Sequence, residues 1–98
     1  MTKLLSIIVP CYNSQDYMKH CLDTLLPGGD RVEILIVDDG STDQTPQIAD
    51  QYAQDHPDIV RVIHQENGGH GAAVTTGIYN AQGTYMKVVD SDDWLDHD

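Results

Sequence analysis

The residues best placed to do chemistry lie near the end of the chain, in Asp90-Ser91-Asp92-Asp93. With Asp96 and Asp98 they put five carboxylates into nine residues. Carboxylates packed this closely repel one another unless positive charge sits among them. Hard divalent cations such as Mg2+ and Mn2+ take one or two protein carboxylates and complete their shell with water and substrate phosphates. An Asp-x-Asp at the end of a buried strand is placed to serve such a cation. A solvated acidic loop that caps a helix is the competing reading. A second acidic pair, Asp38-Asp39, precedes Gly40-Ser41-Thr42-Asp43. An Asp at a strand end can accept hydrogen bonds from a ribose or a base N–H. Helix capping needs only one such residue, and Asp43 is nearer the helix, which favours a ligand for Asp39.

Gly68-Gly69-His70-Gly71 forms a third cluster. Glycines that open a helix can lend backbone N–H groups to an anion, and a tight strand-to-helix turn fits the same residues. Counted as G-x-G-x-x-G from Gly69, the third position is Val74, so the dinucleotide fingerprint fails. The Gly-Lys-Ser/Thr ending of a P-loop is also missing. A single histidine such as His70 is more often structural than catalytic. His20, His56, His64 and His97 have no metal-ligand spacing. Tyr12 can stack on a base or pack over the first helix.

These clusters need a scaffold, and the apolar pattern supplies one. Leu4 to Val9 is a nearly continuous apolar run, as in a strand covered on both faces, and Pro10 is expected to end it. Asn13 or Ser14 can cap a helix whose apolar stripe is Tyr17, Met18, Cys21, Leu22, Leu25 and Leu26. Val32 to Val37 reads as a second buried strand. Thr42 or Asp43 can cap the next helix, with Pro46 in its first turn and Ile48, Ala49, Tyr52 and Ala53 facing inward. Ile59 to Ile63 is a third strand, with Arg61 outward or at an edge. Ala72 to Ala81 is a small-residue helix with Val74, Ile78 and Ala81 inward, and Ala73 and Gly77 small enough for close approach to the sheet. Gly83 leads into a last strand containing Tyr85, Val88 and Val89.

The order β-α-β-α-β-α-β demands a parallel sheet with right-handed crossovers, a Rossmann-like three-layer α/β/α fold. Ligands in such sheets bind at the carboxyl ends of the strands, near the point where strand order reverses. Pro10 to Asn13, Asp38 to Ser41, His64 to Gly71 and Asp90 to Asp93 all fall there, so every polar cluster lands on one rim.

Composition narrows the classes further. The 98 residues suffice for one small domain, and the formal net charge is −11. Such a surface argues against binding a nucleic-acid backbone or anionic lipid, and fits a cationic ligand or an anion carried in with a cation. No apolar run is long enough to span a membrane and none has the form of a signal peptide. Cys11 and Cys21 form no CxxC motif and read as buried thiols, which suits a cytoplasmic setting. Asp96 looks like the N-cap of a helix of which only two residues follow, which reads as a truncated domain.

Four motifs, in order, resemble family 2 glycosyltransferases, whose nucleotide-sugar half has the GT-A fold. They are SIIVPCYN (Ser6 to Asn13), ILIVDDGSTDQT (Ile34 to Thr45), ENGGHGAAVTTGI (Glu66 to Ile78) and YMKVVDSDDWL (Tyr85 to Leu95). The resemblance implies that residues 1–98 are the donor-binding half of a glycosyltransferase domain whose acceptor half is absent. It implies that Pro10 and Tyr12 flank the nucleotide base, with Asn13 beside them, and that Asp39 hydrogen-bonds a uracil. Asp90-Ser91-Asp92 would be the family's DxD, with Asp92 the direct ligand of Mn2+ or Mg2+ and Asp90 on the ribose or the metal's water shell. The parent would pass sugar from a nucleotide-sugar, a UDP-sugar by this resemblance, to a glycan or lipid-linked acceptor hydroxyl with inversion, as in bacterial polysaccharide synthesis. Its general base would lie downstream, leaving no catalytic residue within this chain, which alone would bind nucleotide weakly and transfer little. Many members carry Ala-Arg-Asn in the third motif where this chain has Ala72-Ala73-Val74-Thr75. That leaves the diphosphate's protein-derived positive partner open. The rival readings are a nucleotide or divalent-cation binding module without chemistry, and a phosphoryl-transfer or receiver-type domain. The last of these calls for a Lys at the end of a later strand, and no Lys follows the DxD.

Overall fold

In the computed structural model, which describes residues 3–29 and 31–90, β1 (Leu5–Cys11), α1 (Met18–Leu25) and β2 (Val32–Asp39) come first. They are followed by α2 (Thr45–Asp55), β3 (Val60–Gln65), α3 (His70–Asn80) and β4 (Tyr85–Val88). A short 3-10 turn at Leu26–Gly28 ends α1, where Pro27 removes a backbone donor. The four strands form one parallel sheet in the order β3-β2-β1-β4. β1 and β2, the two inner strands, are buried over almost their whole length, Glu33, Asp38 and Asp39 of β2 included.

The chain steps outward from β1 to β2 to β3, then returns past both to place β4 on the far side of β1. Right-handed crossovers keep α1 and α2 on one face, and the reversed direction of travel puts α3 on the other. The two cores follow from this. Ile7, Val9, Ile34 and Ile36 point to the α1/α2 face, against Met18, Leu22, Leu25 and Ala49. Ile8, Leu35 and Val37 alternate to the other face and meet Ala73 of α3. Each of the buried Ile, Leu, Val and Met side chains among these contributes about 1.5–3 kcal/mol relative to exposure. Cys11 and Cys21 are buried thiols in the first of these cores.

Ala73 and Gly77, one helical turn apart, are the buried residues of α3. A Cβ on Gly77 would sit 2.3 Å from Cγ2 of Ile8, so the helix lies directly on β1. The expected inward placement of Ile78 does not hold: it is 46% exposed. The Ala73–Gly77 stripe faces β1 and β2, and Ile78 lies a further 100° around the helix. β4 is the edge of the described sheet and leaves Tyr85, Met86 and Val88 exposed, while Val89 just beyond it is buried.

Two further local expectations change. Pro10 does not end β1 but pairs with Val37 inside it. Ile8 O accepts from Val89 N, so the alternating ladder turns residue 10 toward β4, whose pairing stops at Val88. The missing N–H therefore costs no ladder bond. Neither Asn13 nor Ser14 caps α1 through its side chain. The Ser14 carbonyl instead accepts from Tyr17 N and Met18 N, while its own N–H donates to Thr45 Oγ1 at 2.8 Å. Asp43 does serve α2, accepting from Thr45 N at 2.8 Å, and Pro46 occupies the first turn.

At the rim opposite the strand ends, a buried carboxylate joins the layers. Glu33 accepts from Ser6 Oγ at 2.7 Å and Gln82 N at 2.9 Å, and it pairs with Arg61. Burial would raise its pKa, but the Gln82, Ser6 and Arg61 interactions outweigh that and hold it below the usual carboxylate range. Gly83 N donates to Ser6 Oγ at 2.7 Å, which fixes the turn into β4. A Cβ there would meet Ser6 N at 2.6 Å, so only glycine fits.

Candidate functional site

β2 delivers Asp38 and Asp39 side by side, and the pleat sends them to opposite faces of the sheet. Asp38 turns to the α2 side. Its Oδ1 accepts from Ser41 N at 3.1 Å and its Oδ2 lies 2.9 Å from His64 Nδ1. His64 Nε2 lies 2.7 Å from Asp50 Oδ1 on α2. The Asp38 hydrogen bond, reinforced by Asp50, raises the His64 pKa above its ordinary value despite opposing desolvation. The pair of carboxylates thus favours an imidazolium that ties the ends of β2 and β3 to α2.

Asp39 turns to the α3 side and is almost wholly buried. Oδ1 accepts from Gln65 Nε2 and Gly68 N, and Oδ2 accepts from Gly69 N, each at 2.9 Å. Its backbone oxygen accepts from Asn67 Nδ2 at 3.0 Å. Burial pushes the carboxyl up, but the three hydrogen bonds push it further down, so its pKa is lowered. The next residue must be glycine: Gly40 has φ +73°, and a Cβ there would meet Asn67 N at 2.5 Å. Asp39 therefore holds the glycine loop that leads into α3, and it uses three of the roughly four acceptor positions a carboxylate offers.

Asn13 adopts φ +49° just past β1, a conformation its short polar side chain tolerates. Its Oδ1 accepts from Thr42 N at 2.8 Å and its N–H donates to Ser41 Oγ at 3.0 Å. It thus laces the loop after β1 to the loop after β2. Across the gap between β1 and β4, His70 Nε2 lies 2.7 Å from Asp90 Oδ1. The nitrogen donates there, because an ionised carboxylate only accepts.

Two adjoining clefts open at this rim. One, of about 200 Å3, is lined by Pro10, Tyr12 and Asp39 together with Asn67, Gly69 and His70. The other, of about 320 Å3, is lined by Pro10, Tyr12 and Asn13 together with Tyr17, His70 and Asp90. The structure therefore brings Pro10, Tyr12, Asn13, Asp39 and Asp90 to one place, where β1 and β4 diverge. Asp92 lies outside the described residues. Tyr12 is 53% exposed at the mouth. Among the described residues neither cleft is lined by Lys or Arg. Lys87 sits mid-strand opposite Ile7, on the α1/α2 face. No group of three or more metal-ligating side chains occurs among the described residues. Nor is any described helix long and apolar enough to cross a membrane. Asn67 and His70 belong to the His64 to Gly71 stretch expected on this rim, although neither was assigned a ligand there. The glycine loop at a strand's carboxyl end was the signal that pointed to them.

A parallel α/β sheet with ligand-sized clefts at its switch point is the frame of a nucleotide-binding domain. Residues 6–98 match the family model described as "Glycosyl transferase family 2", and the chain belongs to that family. The chain is 46% identical over 96 residues to the uncharacterized glycosyltransferase EpsJ of Bacillus subtilis, covering 97% of this chain and 28% of EpsJ. S. aureus TarS, solved in complex with UDP, superposes with a TM-score of 0.79 at 36% identity, covering 93% of this chain and 28% of that one. The mannosyltransferase PcManGT from Pyrobaculum calidifontis, solved with GDP-Man and Mn2+, superposes at 0.86 with 27% identity. There the match covers 99% of this chain and 30% of the other. The fold is thus the three-layer α/β/α arrangement of GT-A glycosyltransferases.

Proposed function

We propose that residues 1–98 form the nucleotide-sugar half of a glycosyltransferase domain. The whole protein transfers sugar from a UDP-sugar to a glycan or lipid-linked acceptor hydroxyl with inversion, in the cytoplasm. One observation carries the reading: Pro10, Tyr12, Asn13, Asp39 and Asp90 converge on adjoining clefts at the switch point of a family 2 sheet. Tyr12 and Pro10 offer the base a flat, partly apolar seat. Asp39, already holding its own loop, keeps one acceptor position for a base N–H.

The residues present suit a cation that arrives with its substrate. Asp90 is a half-exposed hard-oxygen donor at the cleft, with Asp92 two residues on, and no preformed cage surrounds it among the described residues. Mg2+ and Mn2+ use such sparse sets, keeping waters and taking diphosphate oxygens. When bound, the cation would offset charge on the nucleotide diphosphate as the sugar leaves. Support also comes from the Mn2+ in the PcManGT structure. With no Lys or Arg lining the clefts among the described residues, a cation is the natural partner for a diphosphate here. The general base belongs to the acceptor part, beyond residue 98.

The test is a thermal melt with UDP, MnCl2 or both, repeated on Asp92→Asn. Ligand at a hundred times its dissociation constant adds about 2.7 kcal/mol. A shift that needs UDP and Mn2+ together, and is lost in Asp92→Asn, is expected. The absence of any such shift in the full-length protein would refute the donor site. A shift without sugar transfer to any acceptor would leave a binding module and remove the enzyme.

A further inference from the structure

We propose that His70 is a positioning residue, which fixes the Asp90 carboxylate and couples it to the loop clamped by Asp39. The proposal rests on the donor-site reading above and adds a residue to it. His70 is the first residue of α3, and its N-cap, Gly69, has φ +97°. The backbone just before it is pinned, because Gly68 N and Gly69 N both donate to Asp39. The imidazole therefore leaves a fixed base, crosses the gap between β1 and β4, and reaches Asp90 Oδ1 at 2.7 Å.

Asp90 needs such a partner. Its main chain is held, since Val89 N donates to Ile8 O and Cys21 Sγ lies 3.7 Å from Asp90 O. Its carboxylate stands beyond a four-residue edge strand, and His70 is the one side chain bonded to it among the described residues. The pair is open to water, with His70 64% and Asp90 46% exposed, so it adds little to folding stability. Its effect is orientation. His70 also lines both clefts, so the path Asp39–Gly69–His70–Asp90 links the two carboxylates through a single loop. A ligand that engages both is sensitive to that link even when both carboxylates remain.

The experiment is a calorimetric titration of the full-length protein with UDP in the presence of MnCl2, run with excess ligand so that it reaches weak affinities. It compares the wild type, His70→Ala, His70→Phe, His70→Gln, Asp90→Ala and the double variant of His70→Ala with Asp90→Ala. His70→Ala and His70→Phe, which lack the donor, are expected to weaken binding about fivefold or more. His70→Gln, whose amide can donate to a carboxylate, is expected to recover most of that loss. In the Asp90→Ala background, His70→Ala is expected to change nothing further. Independent, multiplying effects of the two alanine substitutions would overturn the role, since His70 would then act without Asp90. Wild-type affinity in His70→Ala and His70→Phe would overturn it as well. Failure of the wild type itself to bind UDP with Mn2+ would instead remove the donor-site reading and this role with it.

Discussion

Replacing Asp39 by Asn is nearly isosteric and removes one charge, so it isolates what the carboxylate does for the loop entering α3. Three donors converge on it: Gln65 Nε2 and Gly68 N on one oxygen, Gly69 N on the other. An asparagine oxygen in the place of Oδ1 keeps the first two. Its NH2 then faces the Gly69 N–H, donor against donor, in a site almost closed to water. A hydrogen bond to a charged group is worth about 1.5–3 kcal/mol, and a buried donor left unpaired costs about 1–3 kcal/mol. These overlap, so the expected loss is about 2–3 kcal/mol at neutral pH. Urea denaturation of wild type and variant measures it.

The pH dependence supplies an independent check. The folded pKa of Asp39 is depressed, so its contribution is fully present above the unfolded value of about 3.9. It is lost as pH falls through the lower folded value. The gap between wild type and Asp39→Asn should therefore stay constant from pH 7 to about pH 5, then narrow in the acid range. A difference under about 0.5 kcal/mol at pH 7 would refute the reasoning, because it would mean the three hydrogen bonds do not bind the loop. A gap that widened toward acid pH would refute the charge assignment.

His64 gives the opposite pH sign: its folded pKa is raised, so its contribution is complete below about pH 6.5 and disappears as pH rises through the folded value. His64→Asn should flatten that segment of the stability–pH curve, read from denaturation midpoints between pH 5 and 9, and an unchanged curve would show that Asp38 and Asp50 do not hold the imidazolium. Gly77→Ala should destabilise by about 1–2 kcal/mol, because overpacking against Ile8 exceeds the gain in helix propensity. Ile8→Ala in the same chain should offset part of that overpacking, so the double variant should be more stable than the sum of the singles, and strict additivity would show that the two residues do not meet.

How much of this was legible beforehand depended on the range of the interaction. The strands and helices announced themselves because the apolar runs and their spacing are local, and the rim followed from β-α alternation alone. That rim already held Pro10, Tyr12, Asn13, Asp39 and Asp90. What stayed hidden was set by register. Glu33 is a lone acid in a buried strand, and its partners Ser6, Arg61 and Gln82 lie 27, 28 and 49 residues away. Only the pairing of Ser6 with Glu33 across the ladder shows that they meet. Pro10 misled for the same reason, since its tolerance depends on which neighbour its nitrogen faces and on where β4 stops.

Asp38 and Asp39 show where the limit lies. As neighbours of one type they look interchangeable, and the sequence weighed a cap against a ligand. The pleat separates them. Asp38 binds His64 on the α2 side, while Asp39 binds the glycine loop on the α3 side and still lines a cleft. Asp39 does not cap α2, the helix for which a cap was weighed; it holds the loop before α3 instead, and that role leaves room for a ligand. Its hydrogen bonds to Gly68 and Gly69 keep it ionised and immobile, and a carboxylate so held can receive a base N–H without reorganising. On the proposed donor site, the structural role prepares the binding role. For that reason loss of the loop contacts and loss of nucleotide affinity should travel together in Asp39→Asn.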